Sequence, residues 1–115
     1  MGTGNAAPRS LEDFVAAVEQ NGDSIRVALR GELDLRTVEQ ADDAVSRPDV
    51  QSSSRLVLDL SGVTFIDSTG LRFVLRVDRR ARESGPRLEL VPGPPEVQRV
   101  FALTRLEERL PFVGS

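Results

Sequence analysis

A short polar segment near the middle of the chain carries side chains that could do chemistry. Asp67, Ser68 and Thr69 follow an apolar run ending at Ile66 and precede a helix-periodic segment that begins at Leu71. Serine between an extended run and a helix is a typical N-cap, and we expect Ser68 to cap this helix. Its hydroxyl would face unpaired backbone N–H groups and the positive end of the helix dipole. A phosphate there would be tolerated without unfolding the domain, although the position alone predicts only a cap.

The composition excludes most chemistry that the chain could perform by itself. It contains no cysteine and no histidine, and all 15 basic residues are arginine. These absences remove the common zinc ligands, the usual base that activates a serine nucleophile, and the lysine of Schiff-base or P-loop chemistry. A hydrolase with Ser68 as its nucleophile is therefore remote. The net charge of −3 gives no general attraction to nucleic acid. We expect a protein that is not an enzyme and has no catalytic residue, metal or cofactor.

The strands that would position Ser68 can be predicted from apolar patterns. Runs over residues 14–19 and 25–30 flank the turn-forming Asn21-Gly22-Asp23, which predicts a β-hairpin. Residues 56–60 are apolar on both faces except for Asp59, as in a buried central strand. Ser61-Gly62 should end that strand, although apolar character continues over residues 63–66. Residues 87–91 are predicted to form another short strand.

Helices are predicted between and after these strands. The spacing of Leu35, Val38, Ala41 and Val45 predicts the first helix, with Asp34 or Thr37 as its cap and a loop over residues 48–54 after it. The strongest helix follows Ser68 and stops at Gly85-Pro86, and a last helix begins at Pro95. This alternation predicts an α/β fold with right-handed crossovers, in which helices pack on a mixed β-sheet.

The length of 115 residues fits a single domain. We expect a flexible tail over residues 1–10 and one domain over residues 11–115, whose residues 106–113 form a short docked element. No apolar stretch approaches the roughly 20 residues that span a bilayer, and residues 1–10 lack the pattern of a signal peptide. A cytoplasmic protein without membrane contact is the expectation.

Three segments carry a resemblance to a known family. They are Gly31-Glu32-Leu33-Asp34, the run over residues 56–63, and the run over residues 65–71 that contains Asp67 and Ser68. In order, spacing and identity they resemble the STAS domain of bacterial anti-sigma factor antagonists, and residues 95–101 resemble that family's third helix. The similarity extends over about residues 12–113. Arg105 departs from it, because related sequences commonly have glycine there, so the last helix is expected to end differently or to run on.

The resemblance implies a STAS-type fold and a partner switch. In that family the unphosphorylated antagonist binds an anti-sigma factor, which is also the serine kinase that phosphorylates it, and a serine phosphatase reverses the reaction. Sigma-factor-dependent transcription is thereby regulated. The phosphorylated serine would be Ser68. The residues implied to bind the partner are Gly31, Glu32, Asp34, Asp67, Thr69, Gly70 and Leu71.

Alternatives remain for the function and for single residues. STAS domains also serve as non-phosphorylated scaffolds of multiprotein or transporter-associated complexes. A phospho-accepting receiver domain, suggested by Asp59 on its strand, is rejected because receivers require a lysine; Asp59 is expected to satisfy a local hydrogen bond. Asp34 and Asp67 could be structural caps as easily as partner contacts. Gly70 has no side chain, which would let a partner approach the backbone closely. A further set of side chains could bind an acidic partner or form a solvated face: Arg72, Arg76, Arg79 and Arg80.

Overall fold

The architecture is a four-stranded sheet with helices packed against it. The structure, a computed structural model, describes residues 13–114, and the predicted tail over residues 1–10 lies outside them. In chain order the elements are β1 (Val15–Asn21), β2 (Ser24–Leu33), α1 (Val38–Val45), α2 (Pro48–Gln51), β3 (Arg55–Ile66), α3 (Ser68–Glu83), β4 (Arg87–Val91) and α4 (Pro95–Leu103). The predicted α/β fold with a mixed sheet is confirmed.

The strand order in the sheet is β1-β2-β3-β4. β1 and β2 are antiparallel and form the predicted hairpin, whereas β2 pairs with β3 and β3 with β4 in parallel. A last parallel bridge joins Phe112 to Leu90 of β4, and Leu110 is buried, which confirms a docked C-terminal element. Because β3 is central and parallel to β2, their carboxyl ends lie side by side and carry the chain into α1 and α3.

The core lies under one face of this sheet. Ile25 and Val27 of β2 are opposite Leu56 and Leu58 of β3, and all four side chains are buried. α1 and α3 contact each other, and both contact strands of the sheet. Burial of these side chains stabilises the fold by about 1.5–3 kcal/mol each. The alternating residues Arg26 and Arg30 of β2 point to the other, more open face and are exposed.

One strand is longer than the sequence predicts. β3 does not end at Ser61-Gly62 but continues to Ile66. The pairing with β2 shifts register between Ala28 and Arg30 and again between Gly31 and Glu32, so the irregularity is absorbed as bulges. Gly62 allows this, since a Cβ there would lie 3.0 Å from the Leu29 carbonyl oxygen. The continuation delivers the chain directly to Asp67.

The helical region after β2 also differs from the prediction. α1 begins at Val38. Leu35, whose spacing predicts a place in this helix, is 73% exposed in the turn that precedes it. The predicted loop after α1 contains the single turn α2, which begins with Pro48 at its first position and buries Val50. Among residues 13–114, no helix has both the length and the apolarity that crossing a bilayer requires.

α4 ends at Leu103 and does not run on, although Arg105 replaces the expected glycine. Arg105 has a φ of 64°, and the N–H of Leu106 donates to the Phe101 carbonyl at 2.8 Å. The N–H of Arg105 donates to Ala102 at 3.0 Å, which completes a Schellman motif. The helix therefore stops as it would with glycine, but the backbone takes a conformation that costs an arginine about 1–2 kcal/mol.

Candidate functional site

The N-cap of α3 is Asp67, and the prediction that Ser68 caps it is wrong. Asp67 has extended backbone angles, and its Oδ1 accepts a hydrogen bond from the Gly70 N–H at 2.9 Å. Its own N–H donates to the Leu33 carbonyl at 3.4 Å, and its carbonyl accepts from the Leu71 N–H at 2.9 Å. Aspartate and serine are equally good caps, and the bulged β3 ends one residue earlier than a serine cap would need. Asp67 is thus the structural cap.

Ser68 consequently stands at the first position of α3 with its side chain exposed to solvent. The first turn of this 16-residue helix contains no acidic side chain. Thr69, the next residue, is half-buried. Leu71 is partly buried and packs against the core, which anchors the turn. The Ser68 side chain therefore faces solvent, while Asp67 and Leu71 stabilise the turn that contains it.

Gly70 fixes how closely α3 approaches β2. It is buried, and a Cβ built there would lie 2.5 Å from the Leu33 carbonyl oxygen and 2.8 Å from Cγ1 of Ile66. Any larger residue would collide with backbone. The missing side chain therefore lets Leu33 of the same chain approach closely. Gly70 positions Ser68 relative to the end of β2.

Gly31 has a comparable role at the end of β2. Its φ is 109°, in the region that favours glycine, and a Cβ would lie 2.9 Å from the Asp13 carbonyl oxygen. Glu32 follows after the register shift and lies opposite Phe65. Its carboxylate is 3.3 Å from the guanidinium of Arg36. Glu32 therefore lies beside the part of β3 that leads to Ser68.

Asp34 and Thr37 together hold the turn between β2 and α1. The Asp34 N–H donates to Thr37 Oγ1 at 3.0 Å, and Asp34 Oδ1 accepts from the Arg36 N–H at 3.0 Å. The Thr37 hydroxyl donates to the Glu32 carbonyl at 2.6 Å. Thr37 is the N-cap by position, but its side chain makes no capping bond to the helix. The buried Asp34 thus has a structural role, whatever else it contacts.

Two exposed apolar side chains lie in the same region and were missed by the sequence reasoning. Phe65, three residues before Ser68 on β3, is 49% exposed, and Leu35, directly after Asp34, is 73% exposed. Large apolar side chains are enriched in the cores of protein interfaces. For Phe65 a signal existed: it lies next to Ile66 on a strand, so both cannot face the core. We define the Ser68 surface as Leu35, Phe65, Asp67, Ser68 and Thr69.

Asp59 lies apart from the Ser68 surface and is buried. Its Oδ1 accepts from the Ser61 N–H at 2.8 Å, and its Oδ2 pairs with the Arg26 guanidinium. Burial by itself would raise the pKa of Asp59, but the hydrogen bonds from Ser61 and Arg26 outweigh it, and the pKa is lowered. The expected local hydrogen bond is confirmed. Among residues 13–114, no three histidine, cysteine, aspartate or glutamate side chains are grouped closely enough to hold a metal ion.

The arginines of α3 are partly occupied by neighbours. Arg79 lies 3.7 Å from Glu83, and the Arg80 guanidinium donates to the Ser46 hydroxyl at 3.2 Å. Arg76 lies over the Phe73 ring at 6.0 Å. For Arg72, which is exposed one turn after Ser68, the described part of the chain contains no ion-pair partner. These four arginines therefore form a largely solvated face of α3. Arg72 is the member nearest in the helix to Ser68.

Comparisons with known proteins agree on the family. Residues 16–114 match the family model described as the Mlab STAS domain. A STAS-domain-containing protein of Pseudomonas aeruginosa is 25% identical over 95 residues, which cover 83% of this chain and 93% of that protein.

Solved structures of anti-sigma factor antagonists have a similar fold. An anti-sigma factor antagonist from Mycobacterium paratuberculosis is 27% identical, with a TM-score of 0.75 over 95% of this chain and 90% of that one. A Thermotoga maritima protein assigned as an anti-sigma factor antagonist has 22% identity and a TM-score of 0.75, covering 87% and 86% of the two chains. Unphosphorylated SpoIIAA, an anti-sigma factor antagonist, has 23% identity and a TM-score of 0.69 over 88% and 90%. These two likenesses concern the fold. The chain belongs to the STAS domain family.

Proposed function

We propose that the chain is an anti-sigma factor antagonist that binds its partner when Ser68 is unmodified and releases it when Ser68 is phosphorylated. The observation that carries the proposal is the exposed Ser68 hydroxyl at the first position of α3, beside a cap that Asp67 already supplies. A modification of Ser68 would leave that cap intact. The resemblance of residues 65–71 to the antagonist motif supports the assignment, as do the antagonist structures that share the fold.

Folding is expected to survive the modification. A phosphate carries about −1.5 to −2 charges near neutral pH, and the positive end of a helix dipole favours such a charge. The Ser68 side chain is exposed, so the phosphate would remain hydrated. Arg72, four residues later on the same helix, has the spacing of a favourable pair with it. The modified chain should therefore keep its structure.

Binding of the partner is not expected to survive phosphorylation of Ser68. A partner that covers Leu35, Phe65 and Ser68 would desolvate the Ser68 side chain, whose neighbour in the chain is the Asp67 carboxylate. A phosphate there would meet the like charge of Asp67 and would lose its hydration. A combined cost of about 3 kcal/mol would weaken binding roughly 100-fold. The partner-binding residues of the proposal are those of the Ser68 surface together with Glu32, while Gly31, Asp34, Gly70 and Leu71 position them.

The proposed partners are those that the resemblance to anti-sigma factor antagonists implies. An anti-sigma factor with serine kinase activity would bind and phosphorylate Ser68, and a serine phosphatase would restore the hydroxyl, both in the cytoplasm. SpoIIAA, with which this chain shares the fold, has been solved in unphosphorylated and phosphorylated forms. The chain itself would be substrate and binder, without catalysis.

Two variants test the mechanism. Ser68→Ala should bind a candidate anti-sigma factor from the same genome equally well with and without ATP. Ser68→Asp should bind at least tenfold more weakly and yet remain folded, because aspartate is favourable in the first turn of a helix. Ser84→Asp, at the exposed C-terminal cap of α3, is the matched control for added charge and should bind like the wild type. Binding is measured by titration calorimetry and folding by circular dichroism.

Mass spectrometry after incubation with the kinase and ATP locates the phosphate. We expect it on Ser68 and not on the half-buried Thr69. Equal affinities of native Ser68→Ala and Ser68→Asp would refute the switch.

A second candidate function is a STAS scaffold that binds its partner without phosphorylation. It is favoured by the family model and the Pseudomonas relative, whose descriptions name a STAS domain and no sigma-factor role. The same experiment separates the two candidates. A scaffold would bind its partner independently of ATP and would acquire no phosphate on Ser68.

A further inference from the structure

Arg72 is the arginine of α3 that can reach a group carried by Ser68. It follows Ser68 by four residues in this 16-residue helix, and both side chains are exposed. Side chains at positions i and i+4 lie on the same face of a helix, with Cβ atoms about 5–6 Å apart. A guanidinium on this spacing can therefore contact a phosphate that is attached to the Ser68 oxygen.

Two other arginines near the carboxyl ends of the central strands and along α3 are engaged or distant. Arg36, in the turn between β2 and α1, lies 3.3 Å from the Glu32 carboxylate and 3.5 Å from that of Asp34. Its charge is therefore already compensated. Arg76, the next arginine along α3, is two turns from Ser68, or about 12 Å along the helix axis. Arg72 is thus the cation best placed to meet a charge on Ser68.

No acidic side chain of the described residues competes for Arg72. The first turn of α3 contains none, and residues 13–114 give the Arg72 guanidinium no ion-pair partner. The nearest carboxylate along the chain is that of Asp67, whose Oδ1 is held in the helix cap by the Gly70 N–H at 2.9 Å. Within the same residues the Ser68 hydroxyl also has no hydrogen-bond partner. In the unmodified chain both groups therefore face solvent, four residues apart.

We propose that Arg72 is the positioning residue for the phosphate of Ser68, because its guanidinium pairs with the phosphate oxygens and holds the phosphate against the exposed side of α3. The inference rests on the proposed phosphorylation and adds the group of this chain that receives the phosphate. A guanidinium donates two parallel hydrogen bonds to a phosphate, and the pair is stronger for the dianion than for the monoanion. Arg72 therefore favours the dianion and lowers the pKa of the phosphate.

The test uses the full chain with phosphoserine incorporated at position 68 during translation, so that neither kinase nor partner is needed. A ³¹P NMR titration measures the pKa of the phosphate, which is about 6 for an ordinary phosphoserine. Arg72→Gln should raise this pKa by about 0.3 unit, the value of an exposed pair at this spacing. Arg72→Lys keeps a positive charge and should give a pKa closer to that of the wild type. In ¹⁵N spectra, the Nε–H resonance of Arg72 should shift with the same midpoint as the phosphate.

Arg76→Gln is the matched control, since it removes another exposed arginine of the same helix. Its distance of about 12 Å along the axis exceeds the Debye length of about 8 Å at physiological salt, so the pKa should stay at the wild-type value. Both glutamine variants should fold, because glutamine and arginine have similar helix propensities, and circular dichroism checks this.

The proposal is overturned if Arg72→Gln leaves the pKa of the phosphate unchanged, or if Arg76→Gln raises it as much as Arg72→Gln does. The titration contains no partner, so its result does not depend on whether phosphorylation releases an anti-sigma factor. Equal binding of Ser68→Ala and Ser68→Asp would refute the switch and leave the pairing of Arg72 with the phosphate standing.

Discussion

Replacing Gly70 with alanine tests whether packing against β2 positions Ser68. The new Cβ would lie 2.5 Å from the Leu33 carbonyl oxygen and 2.8 Å from Ile66 Cγ1. Overpacking of this kind costs about 1–3 kcal/mol, and a displaced helix start would weaken the Asp67 cap by about 1 kcal/mol more. Alanine returns about 1 kcal/mol through helix propensity. We therefore expect Gly70→Ala to lower the free energy of unfolding by about 2 kcal/mol.

The measurement is urea unfolding followed by circular dichroism, with Thr69→Ala as the control in the same turn. Thr69 is half-buried, and the described chain gives its side chain no hydrogen bond, so its loss should change stability by about 0.5 kcal/mol or less. A loss of about 2 kcal/mol is a substantial part of the 5–15 kcal/mol typical of a domain. If Gly70→Ala were as stable as the wild type, the tight contact between α3 and β2 would be refuted.

Two further predictions concern stability. Arg105→Gly should raise the free energy of unfolding by about 0.5–1 kcal/mol, because it relieves the positive φ of 64° at an exposed residue. The control Arg99→Gly, in the interior of α4, should instead lower the free energy of unfolding by about 1 kcal/mol. If urea unfolding showed that Arg105→Gly is less stable than the wild type, backbone strain at Arg105 would be contradicted. The lowered pKa of Asp59 means that its ionised form stabilises the fold at pH values above 3.8, the ordinary pKa of aspartate, and that this contribution is lost as the pH falls through the folded pKa. Asp59→Asn should therefore lower the free energy of unfolding near neutral pH by about 1–3 kcal/mol and make it less sensitive to acid. An unchanged dependence of stability on acid pH would argue against this linkage.

The sequence predicts the elements whose apolar pattern is unambiguous. The period-2 alternation around Val27 gives β2, and helical spacing between Ser68 and Gly85 gives α3 nearly to the residue. The order of these elements then limits the sheet to a hairpin followed by parallel strands. The resemblance adds the motif around Ser68, which the structure places on the surface at a helix start.

The remaining features depend on contacts that no local pattern contains. Ser61-Gly62 has the composition of a strand end. β3 nevertheless continues beyond these residues, because its pairing with β2 tolerates them as a bulge. Serine and aspartate are nearly equal as caps, so only the length of β3 decides that Asp67 and not Ser68 fills that position. Leu35 has helical spacing with Val38, but the turn held by Asp34 precedes the helix and leaves it exposed.

The C-terminal bridge to β4 has a consequence for self-association. The N–H of Leu90 donates to the Pro111 carbonyl, and its carbonyl accepts from the Val113 N–H, both at 2.9 Å, so the free edge of β4 is already partly occupied. Within residues 13–114, β1 is then the edge that offers a long row of unpaired backbone groups. Removal of residues 111–114 would expose the Leu90 backbone groups as well, and we would then expect two edges of the sheet to be open to pairing with other chains.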